Sequence, residues 1–163
     1  MVALDILSDG FFAAIAALGF GAISDPPLRA FKMIALLSAV GHASRFCLMS
    51  YLGVDIATAS LFASLIIGFG SMYLGRIVYC PMTVLYIPAL LPMVPGRFAY
   101  NMVFSIIMCL QSIDNPEELD KYMSMLFSNG LIASTVIFAL AVGAMMPMIL
   151  FPHKAFSLTR RRL

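Results

Sequence analysis

Long apolar runs separated by short polar interruptions organise this chain from end to end. Five runs stand out, at about 4–23, 29–52, 56–79, 82–110 and 123–151. In the first, the uninterrupted stretch is Phe11 to Ile23, and Ser24-Asp25-Pro26-Pro27 ends it. Gly53-Val54-Asp55 separates the second run from the third. The only polar loop of any size, SIDNPEELDKY from Ser112 to Tyr122, separates the fourth from the fifth. A basic tail, PHKAFSLTRRRL, closes the chain. Runs of this length cross a hydrocarbon layer of about 30 Å as helices. They do not alternate in the way that membrane-barrel strands do. The pattern predicts an all-α integral membrane protein, one domain over residues 1–163 built as a bundle of about five transmembrane helices.

Composition sharpens this picture. Of 163 residues, 62% are hydrophobic and 11% charged, against about 25% charged in a soluble domain. A soluble fold of this size cannot hide so much apolar surface. The net charge of +2 gives no case for nucleic-acid binding. No Lys or Arg precedes Phe11, so the first run is expected to be a retained span and not a cleaved signal. Cys47, Cys80 and Cys109 are isolated in apolar stretches and read as small buried thiols. No spacing suggests zinc or another cofactor.

Small residues recur every fourth position, as in Ala13-Ala17-Gly21, Ser60-Ser64-Gly68, Gly130-Ser134 and Ala139-Gly143. Such faces let helix backbones approach closely in lipid. With five spans, Arg29, Lys32, Arg76, Lys154, Arg160, Arg161 and Arg162 share one side. Asp5, Asp9, Asp55 and the acidic residues of the 112–122 loop share the other. Basic residues stay cytoplasmic, which places the N-terminus outside and the C-terminus inside. A four-span alternative, in which the second run does not cross, would put the N-terminus inside.

The fourth run is too long for one straight crossing. Its 30 residues from Pro81 to Leu110 would make a helix of about 45 Å. Pro88, Pro92 and Pro95 lack backbone donors and clash with the preceding turn. Gly96 can take angles closed to other residues. The expected product is two helical pieces joined by irregular backbone near 92–96, which must be buried in protein or line a wet cavity. Arg97 would add a full charge where the second piece presents its N-terminal amides, a combination suited to an anionic group. The candidate substrate-binding residues are therefore Arg97, Gly96, Pro92, Pro95 and Arg45. The alternative is a structural kink with Arg97 reaching an interface.

GHASR, residues 41–45, places His42 and Arg45 on one helix face. His42 is the one side chain in the spans that ordinarily titrates near neutrality, and so the candidate proton carrier. The alternative is a neutral histidine bonding a neighbouring helix, with Arg45 extending to the headgroups. No carboxylate is assigned to the membrane interior. A buried arginine would then need substrate, backbone carbonyls or a second chain as its partner. Nothing resembles a catalytic set, so an enzyme is not expected. A transporter subunit and a non-transport scaffold or assembly protein remain the two readings.

PMVPG followed by Ala99-Tyr100, with GHASR upstream, resembles the bacterial threonine/serine exporter family. The similarity extends to Pro27, Arg29 and Ala30 and to residues 129–143. It is closest in kind to the small YjjB-like subunit, which corresponds to the C-terminal membrane half of fused members. That resemblance implies a five-helix half in the inner membrane, completed by a larger YjjP-like partner subunit. It also implies export of threonine and serine, or of a dicarboxylate such as succinate, driven by the proton gradient.

Overall fold

A computed structural model describes residues 2–152. Lys154, Arg160, Arg161 and Arg162 of the basic tail lie outside the described residues. Six helices follow one another without a strand among the described residues: α1 (Val2–Ile23), α2 (Leu28–Leu52), α3 (Ile56–Ile77), α4 (Met82–Leu90), α5 (Gly96–Gln111) and α6 (Pro116–Leu150). A 3-10 turn, Leu91–Met93, follows α4. Four segments are long and apolar enough to cross a membrane: Leu4–Ile23 of α1, then α2, α3 and α6. The bent pair formed by α4 with its 3-10 turn and α5 is apolar enough when taken together, which gives five crossings if it counts as one broken span.

Local chemistry sets the boundaries. Pro27 and Pro81 sit immediately before α2 and α4, with φ of −58° and −55°, where a missing N–H costs nothing. Gly53 ends α2 at φ 62°, and its N–H and that of Val54 return to the Leu48 carbonyl. This left-handed position favours glycine. Asp55 caps α3, its carboxylate accepting from the Thr58 N–H at 2.9 Å, and the Thr58 side chain first, with that amide second, holds the Asp55 carboxyl below its ordinary range.

The last helix starts earlier than the hydropathy pattern suggests. The 112–122 stretch is not all loop, because α6 begins at Pro116. Proline at the first helical position and Glu117 and Glu118 in the first turn suit a helix start. The Asn115 carbonyl accepts the first helical bond, from Leu119. Apolar periodicity could not locate this start, because its first turns are polar.

The chain divides into two compact units. The first comprises the described residues up to Met93 and those from Ala139 onward. There α1 and α2 run antiparallel: a Cβ on Gly10 would lie 3.1 Å from the Ala39 carbonyl oxygen, and one on Gly21 3.3 Å from Ile34. The Ser38 hydroxyl donates to the Ala13 carbonyl at 3.0 Å. Against the other face of α2, Gly70 of α3 meets Leu37 and Ile67 meets Gly41. Helix α3 also packs on the C-terminal part of α6. A Cβ on Gly68 would lie 2.9 Å from the Ala144 oxygen, and one on Gly143 would lie 2.8 Å from the Leu61 oxygen. Ser64 donates to Ala139 at 3.2 Å in the same seam. Small residues close these gaps because lipid supplies no hydrophobic push, so packing and hydrogen bonds must hold the helices.

The second unit holds Val94–Phe138. Phe104 of α5 meets the Tyr122 ring of α6 edge-on, with centroids 6.5 Å apart. Gly130 packs on Met102, and buried Ser105 bonds back to the Asn101 carbonyl at 2.8 Å. Ser134, expected on a packing face, is exposed, whereas Ala133 and Val136 are buried.

Gly143→Val should therefore cost about 1–3 kcal/mol of stability through overpacking against α3. Gly96→Ala should cost far less, because an added Cβ there meets nothing within 4 Å. Reversible unfolding in bicelles measures both, and equal losses would show that the α3–α6 seam is not tight.

Candidate functional site

The site begins with the interruption of the fourth span. Helix α4 continues through buried Pro88, and regular structure stops after Met93. Pro95 sits at φ −79° and ψ 65°, while the Gly96 N–H returns to the Val94 carbonyl at 2.8 Å. This is the geometry of an inverse γ-turn. The Phe98 and Ala99 amides bond the Pro95 carbonyl. Three amides expected to face an anion at the start of α5 are thus already satisfied within the chain. Gly96 also needs no glycine-only angles, since its φ is not in the left-handed range; the prolines make the break.

A break also orphans carbonyls. In a continuous helix the Met93 carbonyl would accept from the amide four residues on, that of Arg97. Here it accepts instead from Arg45 Nη1 at 3.0 Å. Arg45 is half-buried on α2 and replaces the lost helical bond with a charge-assisted one. Of the partners that the sequence allowed for a buried arginine, a backbone carbonyl is present.

One turn earlier, His42 is 8% exposed. Its Nδ1 lies 3.0 Å from the Asp9 carboxylate oxygen of α1. Asp9 is also within Coulombic reach of Arg45. His42 Nε2 is buried and has no hydrogen-bond partner among the described residues. The close backbone approach at Gly10 and Ala39 lies beside this pair in sequence on both helices and brings Asp9 to His42.

The expectation that no carboxylate would be available to the ionisable groups of the spans is not met, because Asp9 pairs with His42. Asp9 lies inside the Leu4–Ile23 span. Because α1 starts at Val2, Asp9 stands on its third turn. Apolar residues on both sides of Asp9, with glycine next to it, were the available signal. Antiparallel pairing of α1 with α2 was the missing information.

His42, Arg45 and the 3-10 turn containing Pro92 come together in the first unit. Pro95, Gly96 and Arg97 belong to the second unit, where Arg97 is exposed on the first turn of α5. Cys80 and Cys109 are buried, Cys47 half-buried, and all three are free thiols. Burial pushes the Cys80 thiol up, partly opposed by the charge of Arg29.

Arg45→Ala should leave the Met93 carbonyl without its partner and cost about 1–3 kcal/mol, read by unfolding in bicelles. An unchanged stability would mean that the bond contributes nothing.

Two comparisons bear on identity. No solved structure matches the chain. The family model described as "Threonine/Serine exporter, ThrE" matches residues 9–150, a range that opens at Asp9 and includes His42, Arg45 and the broken span. Family match and apolar helices agree: the chain is a multi-pass membrane protein that belongs to the threonine/serine exporter family.

Proposed function

We propose that this chain is the small membrane subunit of a secondary exporter for carboxylate-bearing metabolites, threonine and serine or a dicarboxylate such as succinate. It works with a larger membrane subunit of the same family and is driven by the proton gradient. The observation that carries this reading is the contact of buried His42 with half-buried Asp9, beside an Arg45 that bonds the Met93 carbonyl at the end of the 3-10 turn. Ionisable groups are expensive at membrane depth and mark substrate or proton pathways. Discontinuous helices form the binding sites of many secondary transporters. Arg45 uses one bond to Met93, and its remaining donors suit a substrate carboxylate. His42 carries the proton.

The need for a partner rests on size. Alternating access is commonly built from paired repeats, and up to five spans make one such half. Arg29, Lys32 and Arg76 gather at one end of the first unit, as the antiparallel α2–α3 packing requires. Positive residues stay cytoplasmic, so the N-terminus faces the periplasm and the C-terminus the cytoplasm of a bacterial inner membrane.

Threonine and succinate efflux should be measured in cells producing this chain with and without the larger subunit. Efflux is expected only when both are present, and Arg45→Ala should reduce it at least tenfold. Full efflux from the chain alone would contradict the two-subunit reading.

A further inference from the structure

Against a carboxylate, which only accepts, Nδ1 is the ring nitrogen that carries hydrogen. Asp9 therefore fixes the neutral His42 as the Nδ1–H tautomer and leaves Nε2 as a bare acceptor. That acceptor is a buried atom without a hydrogen-bond partner among the described residues. A buried acceptor left unfilled is costly, so Nε2 is a place where something with a hydrogen to give is stabilised. Two such things exist for an exporter of this family: a proton and the donor group of a substrate.

We infer that His42 Nε2 is an exchange atom, holding either a proton or the ammonium of an amino-acid substrate but never both, while Arg45 takes the same substrate's carboxylate. This rests on the transport reading above and says which atoms would hold the two ends of a zwitterion. The spacing fits. His42 and Arg45 are three residues apart on α2, so their Cβ atoms lie about 5–6 Å apart on one face. An α-amino acid carries its ammonium and carboxylate on one carbon, so it needs its two partners side by side on one face. Succinate offers a second carboxylate where Nε2 requires a donor. Asp9 acts as a positioning residue through the tautomer it imposes.

The charges balance. With the proton on Nε2, Asp9, His42 and Arg45 sum to +1. When the substrate arrives, that proton leaves to water on the open side, and the Nε2 lone pair accepts an ammonium N–H. The cluster with its zwitterion is then neutral. One proton enters for each substrate that leaves. Because Nε2 is sealed in this conformation, exchange requires the helices around it to part.

The other ionisable side chains nearby do not compete for this role. The helices packed on α2 are α1, α3 and α4. Besides Asp9 they carry Asp5 on α1, Tyr73 and Arg76 on α3, and Tyr86 on α4. Among the described residues only Asp9 bonds the imidazole. Arg76 is nine residues beyond Ile67, the level of α3 that meets Gly41, or about 14 Å along the helix.

The test has two arms. In the first, the full chain carrying His153→Gln, labelled with nitrogen-15 histidine, is placed in lipid nanodiscs and its imidazole spectrum recorded at pH 8. The Nδ1–H tautomer with bare Nε2 is expected, and Asp9→Asn should abolish that preference. An Nε2–H tautomer overturns the inference.

In the second, threonine transport is measured in inside-out vesicles containing this chain and the larger subunit. The threonine KM should rise about tenfold for each unit of external pH below the imidazole midpoint read from the spectra. Succinate should show no such rise. His42→Gln, which accepts a hydrogen bond but cannot take up a proton, should lose the pH dependence of the threonine KM. A pH-independent threonine KM in the unsubstituted protein overturns the inference and leaves the transport reading standing. No transport of either compound overturns both.

Discussion

A carboxylate and an imidazole, one from each of two antiparallel apolar helices, meet between α1 and α2. The remainder of the structure serves that contact. Neither group is stable there alone, because an isolated charge at membrane depth is expensive. Together, at 3.0 Å, they become tolerable, and the contact demands that α1 and α2 lie very close. Gly10 against Ala39 supplies the approach, and Ser38 bonding the Ala13 carbonyl fixes the register one turn further on. Small residues along α1 are thus conditions for the polar contact as well as for close packing.

The broken span enters the same logic from the other side. Three prolines cannot all be absorbed by a straight helix, and each lost bond exposes a carbonyl to a medium that cannot solvate it. The chain closes part of this debt locally, through the inverse γ-turn at Pro95 and the bonds to the Pro95 carbonyl. Arg45 settles the Met93 carbonyl. One arginine therefore links the polar cluster of α2 to the end of the 3-10 turn.

Much of this was legible in the sequence. Apolar run length and the loop residues at Pro27, Gly53 and Pro81 located the spans, because hydrocarbon thickness and backbone chemistry act locally. The interruption near Pro92–Gly96 followed from proline sterics alone. GHASR was recognisable as a polar face within a span. Asp9 was not, because its meaning depends on a partner 33 positions away, and a single chain without its antiparallel register reads as an acidic flank. The first turns of α6 were missed for a related reason: Pro116 and the glutamates that start a helix also look like a solvated loop. Gly96 was overread, since its flexibility suggested an unusual backbone that the prolines on either side already provide.

The central claim is that Asp9 and His42 act as one unit. A double-mutant cycle on folding free energy in bicelles, using Asp9→Ala, His42→Ala and the double variant, tests it most directly. The account predicts a coupling energy of about 1 kcal/mol or more, toward the upper range for contacts between membrane helices. Additive losses, with coupling near zero, would contradict it.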